Sequence, residues 1–78
     1  MAIVHAFRSQ DRVFGFTLDA EGANLPPAYG PWAPFKTIEL YHDEPHQGVD
    51  AGECLDDIAR YGFHLTQAHR RIVPGDGA

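Results

Sequence analysis

Residues Val13 to Phe35 read VFGFTLDAEGANLPPAYGPWAPF, and this stretch constrains the fold more than any other. It opens as a strand. It then runs through Gly22, Pro26, Pro27, Gly30, Pro31 and Pro34, and it carries Tyr29, Trp32 and Phe35. The residues before the prolines, Leu25, Pro26, Gly30 and Ala33, are steered toward extended or polyproline II geometry. The segment is therefore a semi-rigid loop, not a floppy linker. A short chain carries so long an irregular segment when it packs on the domain or recognises something.

The rest of the chain divides around that loop. Ala2 to Phe7 reads as a first strand, with Ile3, Val4 and Phe7 available for burial. Ser9, Gln10, Asp11 and Arg12 form a polar turn. In Val13 to Leu18, Phe14, Phe16 and Leu18 alternate with Gly15 and Thr17, the period-2 pattern of a strand with one apolar face. The two strands form an antiparallel hairpin. Its turn lacks Asn-Gly or Asp-Gly, so the loop exceeds two residues. Gly15 marks a bulge or a position with no room for a side chain, in preference to a ligand contact. Asn24 suits an Asx-turn or a left-handed conformation.

Phe35 to Tyr41 reads as a third strand. Phe35, Thr37, Glu39 and Tyr41 fall on one side, and Ile38 and Leu40 face the core with Lys36 on their side. After a polar loop, His42 to Val49, a helix runs from about Ala51 to Tyr61. Asp50 is its N-cap, with Glu53 at the capping-box position. Cys54, Leu55, Ile58 and Tyr61 make one apolar stripe, while Asp56, Asp57 and Arg60 face outward. Gly62 ends the helix in a left-handed conformation, and Phe63 packs back on Ile58 in a Schellman-type stop. Phe63 to Val73 is extended, either as one strand or as two short pieces with a bend at Gln67 to His69.

These elements define a small α+β domain over residues 1–74. Its order is β-β-loop-β-α-β, with one helix on one face of a mostly antiparallel sheet. Residues 75–78 form a disordered tail. At 78 residues the chain makes one domain, and a chain of that size buries only roughly 60–65% of its unfolded surface. The hydrophobic content of 44% is enough for a single core.

The formal net charge of −5 argues against general binding to nucleic-acid phosphates, which needs a basic face. Arg70 and Arg71 read as solvated strand residues. Cys54 is the one cysteine, so no intrachain disulfide forms, in keeping with a reducing compartment. The N-terminus lacks the basic and apolar regions of a signal peptide, and no stretch approaches a membrane span. A cytoplasmic protein without membrane association is the expectation.

No complete catalytic or cofactor motif is present, and no cofactor is expected. His42-Asp43-Glu44-Pro45-His46 places two imidazoles and two carboxylates within five residues, enough to contribute to a divalent metal site through His42 and His46. The plainer reading is a polar loop, since Pro45 breaks helical pairing and no CxxC or HExxH spacing occurs. Cys54 lies on the apolar stripe, so it reads as buried and structural before it reads as a nucleophile. Asp19 with Glu21, and Asp56 with Asp57, read as surface carboxylates. GANLPPAYG lacks the lysine and hydroxyl of a phosphate loop.

Tyr29, Trp32 and Phe35 remain, set among prolines. Aromatic and proline residues together make recognition surfaces. Trp32 as a lid on the small core is the competing reading. The leading functional expectation is a non-enzymatic protein-interaction or accessory module that uses this loop, with a protein partner or a homodimer. The alternative is a small metal- or ligand-binding protein using His42 and His46.

The phrase GFTLDAEGANLPPAYGPW, followed by a helix and YGFHL, resembles an uncharacterised family of small bacterial proteins. In these a GFT-D-GANLP-GPW element precedes a short helix and a terminal strand opening on GY or GF. The resemblance spans about Val13 to Leu65. It implies a bacterial origin and transfers no catalytic residue.

Overall fold

The structure, a computed structural model, describes residues 2–41, 50–67 and 70–72. The expected tail, 75–78, and the His42 to His46 loop lie outside the described residues. Five strands form one antiparallel sheet: β1 (Ala2–Arg8), β2 (Val13–Thr17), β3 (Ala33–Leu40), β4 (Phe63–Gln67) and β5 (Arg70–Ile72). One helix, α1 (Ala51–Tyr61), joins β3 to β4. The spatial order is β3-β1-β2-β4-β5. The α+β architecture with a helix against an antiparallel sheet follows the sequence reading, and the last extended region resolves into two strands.

The β1–β2 turn is a short 3-10 segment, Gln10–Arg12, closed by the Ser9 N–H donating to the Val13 carbonyl at 2.8 Å. Its last residue, Arg12, sits at φ 64. The sequence offers no glycine there, so an arginine takes a backbone shape that side chains disfavour.

The two faces of the sheet carry different covers. On one face, Val4, Ala6, Phe16, Ile38 and Leu40 pack against Ala51, Cys54 and Ile58 of α1. On the other, Phe7 and Leu65 pack against Leu25 and Trp32 of the aromatic–proline segment, with Phe63 and Ile72 at the margin. The period-2 alternation of β2 sorts its residues accordingly. Phe14 and Phe16 face the helix, and Gly15 and Thr17 face the loop. Leu18, expected to extend the apolar face, is 55% exposed beyond the strand.

Gly15 has a packing reason. A Cβ there would lie 2.8 Å from Leu25 Cδ2 and 3.2 Å from Trp32 Cη2. The missing side chain is what lets the loop lie flat on the sheet.

The helix starts and stops where the sequence says. Asp50 accepts the Glu53 N–H at 2.9 Å, and Gly62 at φ 94 donates its N–H to the Ile58 carbonyl at 2.9 Å. That bond is the simple left-handed closure. Phe63 does not fold back on Ile58, because the strand it begins turns it toward Phe7, Leu25 and Leu65. Asp57, expected to face outward, is instead buried at 2% exposure.

The loop is tied to the helix end by polar groups. Asn24 Nδ2 donates to the Gly62 carbonyl at 2.7 Å, and Thr17 Oγ1 donates to Asn24 Oδ1 at 2.7 Å. Asn24 thus latches two distant segments. The Asx-type turn belongs to Asp19, whose Oδ1 accepts the Glu21 N–H at 2.8 Å.

Candidate functional site

Three places on the molecule gather side chains that can do chemistry or binding. The first is the aromatic–proline segment. Trp32 is half-buried on the loop-side core, and its indole N–H donates to the Pro26 carbonyl at 2.9 Å. That bond satisfies the ring's one polar atom and fixes the ring across the segment. Tyr29 lies in the 3-10 turn Pro27–Tyr29 and is 37% exposed.

The second place is Phe35. Pairing between β1 and β3 runs Ala6 to Lys36 and then Phe7 to Pro34, so Phe35 is an extra residue in β3. Such a bulge re-aims a side chain. Without it, Phe35 would share a face with Thr37 and Glu39. With it, Phe35 turns to the helix side and meets Phe14, with ring centroids 5.6 Å apart and planes at 54°. The structure therefore does not bring Tyr29, Trp32 and Phe35 together. Trp32 covers one face of the sheet, and Phe35 stands on the other.

Phe35 is 46% exposed. The Arg8 guanidinium lies 5.7 Å from its ring centroid, and the Lys36 ammonium lies 5.4 Å from it. Both are cation–π distances. Arg8 comes from β1, where it pairs with Phe14 of β2, and Lys36 comes from β3. Sequence reading missed Arg8, Lys36 and Phe14 as companions of Phe35. The basic residues were visible, but the register that joins them was not.

The third place is a buried polar cluster. His64 Nδ1 lies 2.7 Å from Asp57 Oδ2, and both residues are nearly inaccessible. The carboxylate can only accept, so Nδ1 carries the proton. Arg71 of β5 donates from Nε to the same oxygen at 2.9 Å and from a terminal nitrogen to Oδ1. Burial pushes the Asp57 carboxyl up, but hydrogen bonds from Arg71 and His64, and their charge, outweigh it. The net effect holds Asp57 below its ordinary value and raises Arg71. Arg70 and Arg71 are both exposed on β5, as expected of solvated strand residues, and Arg71 is in addition the ion-pair partner of Asp57.

This cluster borders an open groove of about 800 Å³ along α1, lined by Asp50, Glu53, Asp57, Arg60 and Arg71 among others. Its arginines are engaged. Arg71 holds Asp57, and Arg60 lies 6.0 Å from the Tyr61 ring centroid. Cys54, one turn earlier on α1, is fully buried. Burial, and then the nearby Asp57, push its thiol up to about 12. It stays protonated at neutral pH and is a poor nucleophile.

The sequence held a signal for the buried acid. At about 100° per residue, Asp57 lies roughly 60° from Cys54, on the flank of the apolar stripe. His42 and His46 lie outside the described residues. Among the described residues, no group of three or more His, Cys, Asp or Glu side chains is placed to hold a metal ion, and no helix is long and apolar enough to cross a membrane. No protein-family model, curated protein or solved structure matches this chain.

Proposed function

We propose that this chain is a non-enzymatic protein-interaction module whose contact surface is Phe35 with Arg8 and Lys36. The bulge in β3 carries this reading. One inserted residue turns a large ring away from its strand alternation and leaves it 46% exposed. An exposed aromatic ring held by its neighbours is a ready anchor, because a partner buries a large, stiff surface at little entropic cost.

Other features fit a binding role better than a catalytic one. The Cys54 thiol is buried and protonated. The Asp57 carboxylate already accepts from two cation-capable partners. The aromatic–proline segment serves as the cover of the loop-side core, with Trp32 as its lid.

Side chains, not strand addition, make the contact. Pro34, the bulge and Lys36 interrupt the first half of edge strand β3. The other edge, β5, has three residues and carries Arg70 and Arg71. Short, charged, proline-bearing or bulged edges resist pairing with another strand.

The test is a selection of displayed random peptides on the immobilised wild-type chain, with counter-selection on Phe35→Ala. The reading expects peptides that hold the wild type and release the variant, with both folded by circular dichroism. Equal binding to both, or no enrichment above background, overturns it.

A further inference from the structure

Resting on that reading, we infer that the Phe35 surface takes an acidic segment of another protein, in which an apolar side chain meets the ring and carboxylates flank it. Arg8 and Lys36 approach the same ring from two different strands. Among the described residues, the ion pairs join Asp57 and Glu53 to His64 and Arg71, and no carboxylate pairs with Arg8 or Lys36. Arg12, Arg60 and Arg70 take part in none of these ion pairs either, so what sets Arg8 and Lys36 apart is that they share one exposed ring. The chain has six Lys and Arg against eleven Asp and Glu, so carboxylates outnumber the cations. Two cations left on one exposed ring make a local field opposite in sign to the molecule's net charge.

A ring with cations beside it recognises a particular chemistry. The guanidinium and ammonium keep their outward N–H groups free for charge-assisted hydrogen bonds while they remain close to the ring. Carboxylates on a partner reach those groups without displacing them. Complementary charge also steers encounter and rejects cationic partners.

Single-stranded nucleic acid presents anions too, and its bases stack on aromatic rings. The charge favours the acidic peptide. Phosphate binding needs a basic track over several phosphates, whereas this surface has two cations on a chain of net charge −5.

Fluorescence anisotropy with labelled short peptides tests the inference. One peptide carries a central Phe flanked by Glu, a second carries Gln in place of each Glu, and a third carries Lys. A labelled oligothymidylate serves as the nucleic-acid arm. The Glu peptide should bind the wild type about tenfold more tightly than the Gln peptide, with an advantage that shrinks as salt rises. Arg8→Glu combined with Lys36→Glu should reverse the preference and select the Lys peptide. Both residues are exposed, so the fold is retained.

Equal affinity for the Glu and Gln peptides, both lost in Phe35→Ala, overturns the acidic partner while the interaction reading stands. Binding of every peptide unchanged in Phe35→Ala, or absent altogether, overturns both. Preference for the oligothymidylate over the Glu peptide assigns the surface to nucleic acid and overturns both as well.

Discussion

Trp32 and Phe35 are three residues apart and serve opposite faces of the sheet. Trp32 closes the loop-side core with its indole N–H bonded to Pro26. Phe35, turned by the bulge, stands on the helix side against Phe14. One aromatic is structural, and its neighbour is presented to solvent.

Alanine substitution should separate the two. Trp32→Ala removes a large packed ring and leaves a void over Phe7, Leu25 and Leu65, at about 3–5 kcal/mol. That is enough to unfold so small a domain. Phe35→Ala removes an exposed ring and should cost about 1 kcal/mol or less. Thermal melts by circular dichroism read both, and similar losses would contradict the assignment of faces.

Acid should act on the Asp57 cluster. The fold holds this carboxyl below its ordinary value of 3.8, so folding favours the ionised form. Its contribution is complete above that value and is lost as the pH falls through the depressed one. Asp57→Asn takes the charged acceptor from Arg71 and from the buried His64 and should cost about 1–3 kcal/mol at neutral pH. Urea denaturation across pH should show wild type and variant converging in acid. A gap that stays constant with pH would show that Asp57 titrates alike in both states.

Cys54 should be nearly inert in the folded chain. Its thiol is inaccessible and pushed up to about 12, so little thiolate exists at neutral pH. Labelling by a disulfide reagent should be slow in buffer and fast in denaturant. Equal rates would place Cys54 outside the core.

Arg12→Gly should stabilise the protein. Arg12 adopts φ 64 at the end of the first hairpin turn, where an L side chain is strained by about 1–2 kcal/mol. The greater freedom of glycine in the unfolded chain offsets part of the relief, leaving a gain of about 1 kcal/mol or less. A lowered melting temperature would mean that the Arg12 side chain makes contacts worth more than the strain.

The helix ends should be sensitive in the way their chemistry dictates. Asp50→Ala loses an N-cap acceptor at about 1 kcal/mol. Gly62→Val should cost more, because φ 94 excludes a β-branched residue and a Cβ there would lie 3.2 Å from Asn24 Nδ2. Melts of the two variants check the order, and a harmless Gly62→Val would be the failing result.

Much of the fold was legible because its signals are local. The alternation of Phe14 and Phe16, the Asp50 cap and the Gly62 stop each follow from a few adjacent residues. Phe63 was misread because its helix-end pattern competes with strand pairing, and pairing to Thr17 decides. Asp57 was misread because two partners, His64 and Arg71, compensate its burial. Neither partner is visible from the helix that carries it. The candidate surface was read only in part. Phe35 was singled out, but beside Trp32, which lies on the other face of the sheet from it.

From residue order alone follow the element types, the helix boundaries, the irregular course of the proline segment and the buried place of Cys54. These rest on backbone sterics, capping and periodic burial, which act over one or two turns of chain. Only the tertiary structure decided that Phe35 is extra in its strand, that Arg8 and Lys36 flank it, and that Asp57 lies inside. Each depends on strand register or on partners distant in sequence. A shift of one residue in register moves a side chain to the other face of the sheet.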